Sequence, residues 1–467
     1  MDSLFTAALL GCLLAGGCAG PLDVAWERHA PVAPKRLDTG RGVGLVLKDA
    51  QAPAEPSAAH PLDGLDALSL DEAIRVAIRN APAMRRAGLR VDAASGRVKQ
   101  AGLYPNPSFV VDAEGLGGGG GASGGETVYR IEQEIVLGGK LRKGVRVAEA
   151  ERRIAEAGVI GAEFEIASRV MRAYAGALGA RERLENRGEL LELAERVLSG
   201  VTTRVNAGAA TEAERLRAEV AWERAQLDHD AARIAYASSL AELGAAMGLD
   251  GALELPLSGE LRRLPEIEDR ESLLAAALEL NARVARSREA QERAQRAYEL
   301  ARSAAVPNLV ASVGPRYSDA EDETTIDAGI GVEIPLFDRN QGGIQEALAE
   351  RLSSSAALRE VRLELAAEVA RAYAAYEAAE ISARRYRDRL LPKAERTLEL
   401  TRQAYERGKA DALRLLDAQQ VVVESRIAYV DALQRLHESV ALLRELAQDE
   451  APWREPAPGD DHGENQP

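Results

Sequence analysis

Thr325-Ile326-Asp327-Ala328-Gly329-Ile330-Gly331-Val332-Glu333-Ile334-Pro335-Leu336 alternates side chain by side chain. Ile326, Ala328, Ile330, Val332, Ile334 and Leu336 share one face of an extended chain; Asp327, Gly329, Gly331 and Glu333 share the other. A period of 2 marks a strand with one apolar and one polar face. Residues 128–137 repeat the pattern, with Tyr129, Ile131, Ile135 and Leu137 opposed to Arg130, Glu132 and Glu134. Shorter alternations precede each: Phe109, Val111 and Ala113, then Leu309, Ala311, Val313 and Tyr317. Two hairpins are therefore expected, with strands at about 106–114 and 127–137, then 307–317 and 325–336. A glycine run from Gly115 to Glu126 and the acidic stretch Asp319 to Thr324 suit exposed connecting loops.

The hairpins belong to a tandem duplication. Asn80-Ala81 recurs as Asn281-Ala282, and Pro105-Asn106 as Pro307-Asn308. Glu134-Ile135-x-Leu137 returns as Glu333-Ile334-x-Leu336, Arg172-Ala173-Tyr174 as Arg371-Ala372-Tyr373, and Gly208 as Gly408. Five matches in one order, at offsets of 199 to 202, fix the architecture as two copies of helix, hairpin, long helix, turn and helix. The copies are expected at 66–250 and 251–450.

Outside the hairpins the chain is written in helix formers. Aromatic residues make up only 4% of 467, while Ala, Leu, Glu and Arg crowd the rest. Ser69-x-x-Glu72 is a capping box, and the helix it opens is expected to run to about Leu103, before Tyr104-Pro105-Asn106-Pro107. Lys140 to Leu198 holds no proline and predicts a rod of roughly 90 Å. Ala412 to Leu446 carries one apolar stripe through Leu416, Val423, Ile427, Val430, Leu433, Leu436, Val440 and Leu443. Helices of this length must pack side by side, as a bundle, a closed wall or an antiparallel coiled coil.

The ends carry other signals. Leu4 to Gly17 is an apolar run too short to span a bilayer and reads as a signal peptide over 1–17. Leu13-Leu14-Ala15-Gly16-Gly17-Cys18 resembles a bacterial lipoprotein signal, which makes Cys18 the expected lipidation site; an unlipidated signal is the alternative. Residues 18–65 are expected as an extended arm, and the acidic stretch 451–467 as a disordered tail. Cys12 and Cys18 are the only cysteines, so the rest of the chain can hold no disulfide framework.

Strands of about ten residues, apolar on one face and charged on the other, fit a transmembrane β-barrel. A soluble hairpin laid on the helices is the competing reading. In lipid, four strands cannot close, because single-chain barrels need about eight and open edges are not tolerated. Several copies must then contribute, and three would supply twelve strands around a wet interior lined by Arg130, Glu132, Glu134, Arg316, Asp327 and Glu333.

These units resemble the TolC-like outer membrane efflux protein family over roughly 66–450. Glu134-Ile135-Val136-Leu137-Gly138-Gly139-Lys140 and Ile334-Pro335-Leu336-Phe337-Asp338-Arg339-Asn340-Gln341-Gly342-Gly343 are similar to its CzcC-like heavy-metal branch. The resemblance implies a mainly α homotrimer: a twelve-stranded β-barrel in outer membrane lipid, continued by a long α-helical barrel. It implies a periplasmic adaptor and an inner-membrane proton-driven pump of the RND type as partners. Val205-Asn206-Ala207-Gly208 and Tyr405-Glu406-Arg407-Gly408 match the family's periplasmic tips, so Val205, Gly208, Tyr405 and Gly408 are implied adaptor contacts. Turn geometry is an equally good account of both glycines. Asp417 falls on the family's acidic aperture position, and Arg414 stands where a second acid is common, which implies a mixed Arg/Asp ring.

No catalytic or metal-binding pattern is visible. His29, His60, His229, His437 and His462 never pair at helical ligand spacing, and the glycine runs lack the Gly-Lys-Ser/Thr of a phosphate loop. A net charge of −15 disfavours nucleic acid as a partner. No cofactor is expected; a channel needs a wet lumen and a gate. The expected function is export of heavy-metal cations through the outer membrane. Drug, solvent or type I protein export through the same channel, and a periplasmic coiled-coil scaffold, are the alternatives.

Overall fold

The computed structural model describes residues 62–449, apart from 63, 115–124, 252, 254, 266 and 319–321. The expected signal at 1–17, Cys18, almost all of the 18–65 arm and the 451–467 tail lie outside the described residues, as do 115–124 and 319–321 of the hairpin loops. The described residues fall within one unit, Pro61–Pro467.

The first copy runs α1 (Leu70–Asn80), α2 (Pro82–Ala101), β1 (Ser108–Glu114), β2 (Glu126–Ile135), α3 (Lys140–Asn206) and α4 (Glu212–Ala246). The second runs α5 (Arg270–Leu280), α6 (Ala282–Ala304), β3 (Leu309–Ser318), β4 (Glu323–Val332), α7 (Gln341–Arg385), a π turn (Tyr386–Leu390), α8 (Leu391–Glu406) and α9 (Ala412–Ala447). The hairpins join into one antiparallel sheet in the order β1-β2-β3-β4, with β1 and β4 as its edges. α3, at 67 residues about 100 Å long, packs along α2, α4, α6 and α9.

Ser69 and Glu72 form the expected capping box, but the helix they open stops at Asn80. Ala81 precedes Pro82, and a residue before proline is pushed out of the α region; Ala81 sits at φ −61°, ψ 125°. Pro82 then takes the first position of α2, where a missing N–H costs nothing. The second copy makes the same break at Asn281-Ala282 without a proline. There Asn281 accepts from the Arg283 N–H at 2.8 Å and donates to the Leu446 carbonyl at 2.8 Å.

The copies differ in their long helix. α3 continues to Asn206, eight residues past the expected Leu198, whereas its counterpart is interrupted at Tyr386–Leu390. Pro392 opens α8 and cannot donate backward, so the Leu391 N–H reaches five residues back to the Tyr386 carbonyl. Three apolar clusters hold the helices. One joins α1, the middle of α3 and the segment from Leu253 to Leu261 to α9. A second joins α5, α7 and the end of α9. The third joins Leu190–Val201 of α3, Ala218 and Ala225 of α4, and Ala412–Val423 of α9.

The strands end where their prolines dictate. β1 begins at Ser108, two residues after its expected start, because Pro105 and Pro107 have no N–H to give a ladder. β4 spans Glu323–Val332, not 325–336, and the Leu336 N–H turns back on the Ile334 carbonyl around Pro335.

Candidate functional site: a two-faced sheet and paired helical tips

Directly opposite residues of an antiparallel ladder point to the same face. Val110 opposes Arg130, Asp112 opposes Val128, Glu132 opposes Ser312, Glu134 opposes Val310, and Gly314 opposes Asp327. Five of the six residues expected to line a lumen, Arg130, Glu132, Glu134, Arg316 and Asp327, therefore lie on one face. Glu333 lies one residue beyond β4 and is exposed. Arg316 donates to Asp327 at 2.6 Å and to Glu126 at 2.8 Å. Arg130 pairs with Asp112 and lies 3.6 Å from Glu132. All are partly exposed, so each pair contributes at most about 1 kcal/mol. Their larger effect is the sign of the face. Asp112, Glu114, Glu126, Glu132, Glu134, Glu323 and Asp327 outnumber Arg130 and Arg316.

The opposite face carries Phe109, Val111, Tyr129, Ile131, Val313, Ile326 and Ile330, and among the described residues no helix covers it. Ile326 is 80% and Ile330 77% exposed. Each such side chain would gain about 1.5–3 kcal/mol on leaving water, so the face needs an apolar medium. β2 and β3 approach closely at Gly314, where any side chain would run into the Tyr129 carbonyl. No described helix is long and apolar enough to cross a membrane.

Sequence reasoning missed what fastens the strands to the helices. Asn308 donates to the Glu134 carboxylate at 2.5 Å and accepts from the Leu137 N–H at 3.2 Å and Lys140 Nζ at 2.7 Å. Its recurrence in the Pro-Asn pair was the available signal. Asn340, left-handed at φ 58° ahead of α7, donates to the Ala301 carbonyl at 2.8 Å.

The two tips are the same structure. Gly208 sits at φ 71° and Gly408 at φ 68°; the Ala209 N–H reaches the Arg204 carbonyl at 2.7 Å and the Lys409 N–H the Ala404 carbonyl at 2.8 Å. This pair of turns is a Schellman ending, with glycine where φ must be positive. Val205 and Tyr405 are half-buried and pack onto the cluster of Val201, Ala218, Ala412 and Leu416. Their side chains therefore hold the tips together, and the exposed surface there belongs to Gly208, Gly408 and their neighbours.

Arg414 and Asp417 are exposed one turn apart at the start of α9, where Asp411 caps the helix by accepting from the Arg414 N–H at 2.8 Å. The equivalent positions at the start of α4 are Glu214 and Arg217, so the two copies carry opposite charge orders. Glu214 is held below the usual carboxylate range, first by the Thr211 backbone N–H and then by the Thr211 hydroxyl; Arg204 lowers it further and Asp411 opposes. Asp411 belongs to the second copy, whose tip shares the apolar cluster of Val201, Ala218, Ala412 and Leu416 with the first. His437, on α9, donates from Nε2 to the Leu261 carbonyl at 2.9 Å, a packing contact. Among the described residues no group of three His, Cys, Asp or Glu side chains is placed to hold a metal ion.

A sheet with one bare apolar face, continued by paired helices of about 100 Å, is the fold of solved bacterial membrane proteins. A membrane protein of Pseudomonas aeruginosa superposes with a TM-score of 0.69 at 20% identity, covering 85% of this chain and 95% of that one. CusC, solved in a study of transmembrane channel formation, gives 0.67 at 18% identity, covering 85% and 98%. The family described as outer membrane efflux protein matches residues 73–249 and again 273–447, one helix–hairpin–helix unit each. The chain belongs to that family. Among its relatives, the cobalt-zinc-cadmium resistance protein CzcC of Cupriavidus metallidurans is 26% identical over 383 residues, 82% of this chain and 90% of the relative. Protein CyaE of Bordetella pertussis is 30% identical over 341 residues, 69% and 72%. The nickel-cobalt-cadmium resistance protein NccC of Alcaligenes xylosoxydans xylosoxydans is 28% identical over 341 residues, 71% and 74%.

Proposed function

We propose that this outer membrane efflux protein is the exit channel of a tripartite pump for heavy-metal cations and works as a homotrimer. The observation that carries the channel is the sheet itself: one face apolar and uncovered, the other charged, and both edges open. Lipid satisfies the first face and water the second, and only other copies can satisfy the edges. Three copies give twelve strands, enough for closure.

Two observations support a cationic cargo. The polar face carries an excess of carboxylates, which lowers the barrier to cations and raises it for anions. CzcC and NccC, similar along most of the chain, are named for resistance to cobalt, zinc, cadmium and nickel. The protein makes no covalent change in its cargo; energy comes from an inner-membrane RND-type pump through a periplasmic adaptor. The adaptor seats on the tips around Gly208 and Gly408, while Val205 and Tyr405 keep those tips rigid. Arg414 and Asp417 form a mixed-charge ring at the periplasmic aperture, and Cys18 carries the lipid that tethers the mature N-terminus to the membrane.

Deletion followed by a panel of toxic solutes tests this reading. Hypersensitivity to cobalt, zinc, cadmium or nickel is expected. Hypersensitivity to bile salts and dyes, with unchanged metal tolerance, would contradict the metal cargo and leave the channel serving drug or solvent export. Mass spectrometry of the mature protein should find Cys18 acylated, and an unmodified residue there would contradict the anchor.

A further inference from the structure

The duplication gives more than a copy count, because it supplies a template for the contact that one protomer lacks. Within the chain, β2 of the first copy pairs with β3 of the second. The matching edges, β4 of the second copy and β1 of the first, are unpaired. β2 maps onto β4 by the offset of 199 that carries Glu134 to Glu333, and β3 onto β1 by the offset of 202 that carries Asn308 to Asn106.

Resting on the trimer reading above, we infer that β4 pairs antiparallel with β1 of a neighbouring copy in the register that the internal β2–β3 ladder dictates. Glu132 opposite Ser312 becomes Gly331 opposite Val110; Ile131 opposite Val313 becomes Ile330 opposite Val111; Gln133 opposite Ala311 becomes Val332 opposite Phe109. The clasp at the strand ends is carried over too. Asn308 donates to Glu134 inside the chain, and Asn106 of one copy donates to Glu333 of the next. Asn106 and Glu333 are both exposed in the protomer, as is Leu336, the counterpart of Leu137.

Two features of the strands agree with this register. It puts Val110, Asp112 and Glu114 on the same face as Gly331, Gly329 and Asp327, so the polar face stays continuous around the ring. It also aligns Phe109 and Val111 with Val332 and Ile330 on the apolar face. A slip of one residue would turn one copy's apolar face into the wet interior. Glu114 comes opposite Asp327, whose charge Arg316 already meets within its own copy. A slip of two residues keeps the faces but parts Asn106 from Glu333, so the clasp is what selects among even registers.

Cysteine cross-linking in the outer membrane of whole cells tests the register. Directly opposite residues bring Cβ atoms to about 4.5–5.5 Å, whereas neighbours two along lie at about 7–8 Å, beyond disulfide reach. Gly331→Cys with Val110→Cys should therefore give covalent dimers and trimers on oxidation, several-fold more than Gly331→Cys with Ser108→Cys or Asp112→Cys. Single variants serve as controls for Cys12 and Cys18. Val332→Cys with Phe109→Cys, on the other face, repeats the test should the first pair disturb assembly. Heat-resistant trimers whose best cross-link falls on Ser108 or Asp112, or that give none with either pair, overturn the register alone. Absence of any trimer in the unaltered protein overturns the reading beneath it as well.

Discussion

Gly208 and Gly408 end their helices, 200 residues apart, with φ of 71° and 68° and the same backward hydrogen bonds. No atom lies within 4 Å of a side chain built at either glycine, so the only obstacle to substitution is the backbone itself. Gly408→Ala should cost about 1–2 kcal/mol locally, and Gly408→Asn less, since asparagine tolerates this region. Hydrogen exchange at Lys409 and Ala410 reports the effect: faster in the alanine variant, near the parent rate in the asparagine one. Equal exchange in all three would contradict a conformational role.

Asn281 is 2% exposed and serves both as the cap of α6 and as the donor to the end of α9. Asn281→Ala removes a cap and leaves the Leu446 carbonyl without this donor, a combined cost of about 2–4 kcal/mol. Asn281→Asp keeps the acceptor for the Arg283 N–H but sets a buried carboxylate oxygen against the Leu446 carbonyl, so a drop at least as large as that of the alanine variant is expected. Thermal unfolding in detergent ranks the three, and an alanine variant as stable as the parent would contradict the account.

His437 links stability to pH. Burial lowers its pKa from the ordinary value, against the raising pull of the Leu261 and Arg263 carbonyls. The native state thus prefers the neutral ring, and the unfolded chain takes up the proton more readily as pH falls below about 6.5. Its stabilising contribution is full above that value and declines as pH drops toward the lowered one. Between pH 7.5 and 5.5 the parent should lose more thermal stability than His437→Gln; an identical loss would contradict the buried, neutral assignment.

The charge order at the start of α9 makes a separate prediction. Arg414 and Asp417 face solvent, where Glu214 and Arg217 stand reversed in the other copy. In the ring proposed above, Arg414→Glu would leave only acidic side chains and should raise single-channel conductance and cation selectivity in planar bilayers. Unchanged conductance would place the constriction elsewhere.

Much of this was legible in the residues because it rests on local periodicity. Ile326 to Leu336 announced a two-faced strand, and the glycines at 208 and 408 announced the tips. Contacts that join distant segments were not legible. The recurring Pro-Asn pair marks Asn308 but does not name its partner Glu134, 174 residues earlier, and no local pattern says that Arg316 meets both Glu126 and Asp327. Two breaks do have local causes. Pro82 splits the first helix at Ala81, and Pro392 accounts for the π turn at Tyr386–Leu390. Position along the tips also does not show that Val205 and Tyr405 are half-buried against the cluster that includes Val201 and Leu416.

The most direct test of the whole account compares neighbouring cysteines at Gly329 and Ile330 in the intact outer membrane. Gly329→Cys, on the polar face, should react with a membrane-impermeant maleimide. Ile330→Cys should resist that reagent, and a fluorophore on it should be quenched by a spin label carried in the lipid. Equal labelling of the two by the aqueous reagent, with no quenching from lipid at Ile330, would show that the sheet does not lie in the membrane.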